Sequence, residues 1–70
     1  MEFYNISNFK QWALTNGISI DHMNRVANAY HAEQELAYDL GKYEVEIEYS
    51  FQEERYVIYV FPQMNEIALV

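Results

Sequence analysis

The chain has no cysteine, one proline, two glycines and only four basic residues among its 70 residues. Without cysteine it can form neither a disulfide nor a thiolate metal site, which in so small a domain favours a reducing compartment. Its apolar runs are far shorter than the roughly 20 residues that span a bilayer. Residues 1–6 show no basic segment followed by an apolar one. We therefore expect a cytoplasmic protein, in the host cell if it is phage-encoded, with no membrane span and no export signal.

Positive charge is scarce, since Lys10, Arg25, Lys42 and Arg55 face eleven acidic residues and leave a net charge of −7. Proteins that bind a phosphate backbone gain much of their affinity by releasing counterions to Lys and Arg. Four scattered cations cannot form such a footprint. We therefore expect no direct nucleic-acid partner and instead a partner whose own surface is basic.

What the chain does have is an apolar fraction of 51%, with seven Tyr, four Phe and one Trp. That composition suits a folded core and lies outside the range of disordered chains. A chain of this length holds only one core. We predict a single domain over residues 1–70.

The N-terminal half shows the periodicity of two helices. Ser7 fits the N-cap of a short helix that Asn16 and Gly17 end. Ser19 fits the cap of a second, long helix of about 20 residues that stops at Gly41. Its apolar residues recur every three to four positions. They are Ile20, Met23, Val26, Tyr30, Ala37 and Leu40.

From Lys42 onward the period becomes that of strands. Residues 43–50 alternate apolar and polar, residues 51–54 form a turn, and residues 55–61 are apolar on both faces, as in a middle strand. Pro62 ends that strand, and residues 67–70 are long enough for an edge strand. We predict an α+β fold with two N-terminal helices, short then long, packed on a three-stranded antiparallel β-meander. Residues 3–6 either add a short strand or fill the core.

The predicted strand over residues 43–50 carries a row of carboxylates. Glu44, Glu46 and Glu48 share one face at intervals of about 6.6 to 6.8 Å, and such a row costs stability through repulsion. Tyr supplies rigid contact area and is enriched in binding hot spots. The alternative is a solvated face that protects an edge strand from aggregation. The predicted partner-binding residues are Glu44, Glu46, Glu48, Glu53, Glu54, Tyr49 and Tyr56.

The stretch from Trp12 to Val26 resembles a helix-turn-helix motif. Ala13 is followed four residues later by Gly17, and Met23 stands where the second helix would pack. The resemblance covers 15 of the 70 residues, and the hairpin after it resembles a wing. It implies a DNA-facing set of Ile20, Asp21, His22, Asn24 and Arg25. Asp21 at the helix start would meet phosphate, so electrostatics favours two helices that simply pack around a glycine turn.

Catalytic and metal patterns are weak. His31, Glu35 and Asp39 are spaced at i, i+4 and i+8 along the predicted long helix, which is more typical of a solvated face than of an ion site. The chain has no Gly-rich phosphate loop and no Ser-His-Asp pattern. We therefore predict a protein that is not an enzyme, with no catalytic residue, metal or cofactor.

Together these features predict an acidic protein-binding domain. The leading hypothesis is an inhibitor that occupies the basic surface of a nucleic-acid-binding protein or nuclease by partial DNA mimicry. It rests on physical analogy with phage-encoded anti-defence proteins, including anti-CRISPR proteins. The alternatives are a helix-turn-helix-like regulator or assembly protein, with homodimerisation through the long helix, and an antitoxin-like neutralising partner.

Overall fold

The fold is known from a computed structural model that describes residues 1–63. The elements in chain order are β1 (Glu2–Phe3), α1 (Ile6–Thr15), α2 (Ile20–His31), β2 (Leu36–Asp39), β3 (Tyr43–Ser50) and β4 (Arg55–Pro62). Within residues 1–63 the strands form one antiparallel sheet in the order β1-β4-β3-β2. The α+β class with two N-terminal helices is therefore confirmed. The edge strand predicted over residues 67–70 lies outside the described residues.

Helix α1 begins two residues earlier than predicted. Asn5, rather than Ser7, is the N-cap, and its side-chain oxygen accepts from the backbone N–H groups of Ser7 at 2.7 Å and Asn8 at 3.4 Å. Asn and Ser both have short polar side chains that suit the N-cap position. The predicted end is confirmed, because Gly17 adopts φ 73° and the N–H of Ile18 donates to the carbonyl of Ala13.

Helix α2 begins as predicted and ends earlier. Ser19 caps it by accepting from the N–H of His22 at 3.2 Å. The helix stops at His31, where Glu33 takes φ 55° and the N–H of Gln34 donates to the carbonyl of Ala29. The predicted long helix is thus wrong. The helices have 10 and 12 residues, and none in residues 1–63 has the length and apolar character needed to cross a membrane.

The end of the predicted long helix is strand β2. Its residues alternate between partly buried and exposed side chains, with Leu36 and Tyr38 packed against the core. Pairing with β3 satisfies the backbone, as in Leu36 opposite Ile47. A short apolar run fits both the helical and the strand period. Pairing with the otherwise unpaired edge of β3 favours the strand.

Strand β4 is central, which explains why its sequence is apolar on both faces. β3 pairs along one side of it, from Tyr49 opposite Tyr56 to Val45 opposite Val60. β1 pairs along the other side, with Phe3 opposite Ile58. Two of the three predicted strands lie within the described residues, and residues 2–3 and 36–39 add two more, so that the described sheet has four strands.

Both helices pack on one face of the sheet, which we call the inner face. Phe9 of α1 and Val26 of α2 are fully buried against the inner-face residues Val45, Ile47 and Ile58. Each such side chain stabilises the fold by roughly 1.5 to 3 kcal/mol. The opposite face of the sheet, which we call the outer face, carries no helix among residues 1–63.

Candidate functional site

The three aligned glutamates of β3 lie on the outer face. Glu44 and Glu48 are exposed and Glu46 is half-buried, while the alternating residues Val45 and Ile47 are fully buried on the inner face. The strand period places side chains two apart on the same face, so the predicted row is confirmed as a geometry. Its role in partner binding stays a prediction.

Neighbouring strands extend this negative surface. Asp39 of β2 pairs with Glu44, and Glu2 of β1 pairs with Tyr59 of β4. Directly paired residues of an antiparallel sheet project from the same face. We call the resulting set the acidic face, and it consists of Glu2, Asp39, Glu44, Glu46 and Glu48.

The carboxylates of the acidic face are crowded enough to affect one another. The pKa of Glu46 is raised above its ordinary value of 4.5 by a side-chain hydrogen bond with Glu48, by partial desolvation, and by the negative charges of Glu48 and Glu44. Like charges held close together favour the protonated form of a carboxyl group. The row therefore favours any process that brings positive charge to it.

Two aromatic side chains lie beside the glutamates, and sequence reasoning missed them. Tyr59 is paired with Glu46 and Phe61 with Glu44, and the two rings stack with centroids 6.5 Å apart and planes at 14°. Phe61 is 43% exposed. The strand period puts Tyr59 and Phe61 on one face of β4, but only the hairpin register decides that this face carries the glutamates.

The two tyrosines that were predicted to anchor the acidic row lie on the other face. Tyr56 packs against the core, and its carbonyl accepts from the hydroxyl of Tyr30 at 3.1 Å. Tyr49 contacts Tyr56 edge to face at 5.3 Å and Phe51 at 5.1 Å. The structure thus separates Tyr49 and Tyr56 from Glu44, Glu46 and Glu48, because positions 49 and 56 share the parity of the inner face.

The two turn glutamates differ from each other. Glu53 donates its N–H to the hydroxyl oxygen of Ser50 at 3.1 Å in the β3–β4 turn. Glu54 adopts φ 58° and lines a cleft together with Tyr49 and Tyr56. The predicted site is therefore divided among the acidic face, the β3–β4 turn with Glu53, and this inner-side cleft.

Arg55, the first residue of β4, is already engaged. The guanidinium of Arg55 donates to the carbonyl of Tyr4 at 2.6 Å and lies 5.4 Å from the centre of its ring. The Tyr4 hydroxyl donates to Glu2 at 2.5 Å. That hydrogen bond is the main cause that raises the pKa of Tyr4 to about 12, followed by desolvation and by the charges of Glu2 and Glu53.

The residues implied by the helix-turn-helix resemblance are all exposed on α2. His22 Nδ1 lies 2.9 Å from the Tyr38 hydroxyl, and the Arg25 guanidinium lies 5.7 Å from the centre of the Tyr38 ring. Two members of the implied DNA-facing set therefore contact strand β2. The remaining members are Ile20, Asp21 and Asn24.

The proposed i, i+4, i+8 stripe does not exist, because α2 ends at His31 while Asp39 belongs to β2. Glu35 lies in the connection between these elements. The spacing argument for a shared ion fails with the helix on which it depended.

Comparison of the chain with protein-family models, with curated proteins and with solved structures found no match in any of the three.

Proposed function

We propose that this protein is a non-enzymatic binding module whose acidic face occupies a basic surface of a nucleic-acid-binding protein or nuclease. The observation that carries the proposal is the collection of carboxylates from β1, β2 and β3 on the one sheet face that no helix of residues 1–63 covers. A surface intended only for solubility would mix both signs of charge.

The mechanism is competition for the partner's cations. Glu44, Glu46 and Glu48 would accept hydrogen bonds from Lys and Arg side chains that otherwise hold phosphates. The mimicry is partial, since each strand of DNA carries a charge every ~3.4 Å, about twice the density of one glutamate row. Asp39, which pairs with Glu44, adds one carboxylate beside the row.

The aromatic pair supplies the contact area that charges alone do not. Tyr59 and Phe61 stand on the same face as their paired glutamates. Aromatic side chains of this kind anchor protein interfaces at low entropic cost. We propose that they replace Tyr49 and Tyr56 as the anchors of the acidic face.

The antitoxin-like alternative uses the same face and differs only in its target. The homodimer alternative depended on the length of α2, which is shorter than predicted. The regulator alternative depended on residues 12–26, which form the end of α1, a glycine turn and the start of α2. No contact in residues 1–63 favours either over the acidic-face mechanism.

The test compares two variants of equal net charge. Glu44→Lys reverses a charge within the acidic face, and Asp21→Lys reverses one in the first turn of α2; each changes the net charge from −7 to −5. Immobilised protein is exposed to bacterial lysate in low salt and eluted with short double-stranded DNA. We expect the unmodified protein and Asp21→Lys to retain basic nucleic-acid-binding proteins that DNA releases.

Glu44→Lys should lower that retention by about fivefold or more, because it replaces an attraction with a repulsion. Circular dichroism checks that both variants are folded. Equal retention by the two variants would rule out the acidic face as the binding surface. Retained proteins that DNA fails to release would rule out competition for a nucleic-acid groove.

A further inference from the structure

A second candidate site lies on the inner side of the sheet, where the end of α2 meets the β3–β4 turn. It is a cleft of about 360 Å³, and its walls include three tyrosines and two glutamates. These residues are Tyr30, Tyr49, Tyr56, Glu33 and Glu54. Ligand pockets begin at about 300 Å³, so the cleft can take one side chain of a partner.

The aromatic walls are fixed in place. The Tyr30 hydroxyl donates to the carbonyls of Tyr4 and Tyr56, both at 3.1 Å. Tyr49 rests edge to face on Tyr56 and is 37% exposed. The negative face of a tyrosine ring attracts cations. A pre-ordered pair of rings does so without first losing side-chain entropy.

The two glutamates are the non-glycine residues with positive φ among residues 1–63, at 55° for Glu33 and 58° for Glu54. This backbone region disfavours side chains with a Cβ atom, and glycine or asparagine would adopt it more easily. Strained positions of this kind collect at binding sites. Both lie in the same cleft, and the negative end of the α2 dipole lies beside Glu33.

The cleft also contains Arg55, whose guanidinium is held by the carbonyl and the ring of Tyr4. Two acidic residues therefore line the cleft together with His31 and with one arginine that already has its own partners. With histidine counted as neutral, the formal charge of the cleft is negative, and it suits an incoming cation.

We propose that this cleft binds the guanidinium of an arginine side chain of a partner protein. A guanidinium is planar, so it can stack on a tyrosine ring while its edge donates to a carboxylate. The ammonium of lysine is a strongly hydrated point charge that uses the rings less well. This proposal stands apart from the acidic face, because the cleft lies on the opposite side of the sheet.

The probe is N-acetyl-arginine amide, titrated into isotope-labelled protein and followed by NMR, with N-acetyl-lysine amide as the comparison. We expect saturable shifts of the Tyr49 and Tyr56 rings and of the Glu33 and Glu54 amides. The lysine compound should bind about fivefold more weakly. Equal binding of both compounds, shifts confined to the acidic face, or no saturable shift would each overturn the proposal.

Substitution separates binding from structure. Glu33→Asn and Glu54→Asn suit a positive φ, so the double variant should keep or raise its melting temperature while arginine affinity falls about fivefold or more. Tyr49→Phe keeps the ring and should bind normally, whereas Tyr49→Leu should bind weakly. Unchanged affinity in the glutamate double variant, or in folded Tyr49→Leu, would also overturn the proposal.

Discussion

The two faces of the sheet are built from the same strands and differ in chemical character. Along β3, Val45 and Ile47 are fully buried under the helices, while Glu44 and Glu48 on either side of them are exposed. The inner face stabilises the fold through apolar burial. The outer face concentrates like charges at some cost in stability. The fold tolerates the repulsion on the outer face because apolar burial on the inner face supplies the stability.

The contrast is not absolute, because β4 is buried on both sides. Val57, which pairs with Glu48 on the outer face, is fully buried. Its neighbour Ile58 on the inner face is fully buried as well. Val57 is thus removed from solvent on the outer face beside Glu48. Partial desolvation there is one cause of the raised pKa of Glu46.

The largest expected effect on stability comes from a substitution on the inner face. Ile47→Ala should lower the free energy of unfolding by about 2 to 5 kcal/mol, because it leaves a cavity in a fully buried position. Glu48→Ala, one residue further along the strand, should leave stability unchanged or raise it. Urea unfolding of both variants measures the difference. Similar losses in the two would contradict the division between the faces.

A smaller effect on stability tests the repulsion among carboxylates on the outer face. Because the pKa of Glu46 is raised in the folded state, its proton stabilises the fold below about pH 4.5 and this stabilisation is lost as the pH rises through the folded pKa. Glu46→Gln should therefore melt at a higher temperature than the unmodified protein at neutral pH. The difference in melting temperature between the two proteins should narrow on acidification. A difference independent of pH would contradict repulsion among the carboxylates.

The smallest effect concerns the edge of the acidic face at β1. The Tyr4 phenol should ionise near pH 12, since its hydrogen bond to Glu2 favours the protonated form. Glu2→Gln should lower the Tyr4 pKa toward the ordinary value of 10.0. Tyrosinate absorbance in the two proteins, with Tyr4→Phe to assign the signal, measures the change. An unchanged titration would mean that Glu2 does not hold the phenol.

Local signals in the sequence predicted much of this arrangement. The cap at Ser19, the stop at Gly17 and the alternation of residues 43–50 depend on neighbours along the chain, and all three are confirmed. The alternation also placed the three glutamates on one face. The end of α2 was missed because it occurs at Glu33 with positive φ and no glycine to mark it.

The chain by itself determined the charge of −7, the two helices, the long hairpin and the alignment of its carboxylates, because each depends on composition or on contacts a few residues apart. Only the tertiary structure decided which strand edges were filled, which aromatic rings stand beside the glutamates, and that Tyr56 lies on the inner side with Tyr49. Those outcomes depend on hydrogen-bond register between distant segments, and a shift of one residue would exchange the two faces.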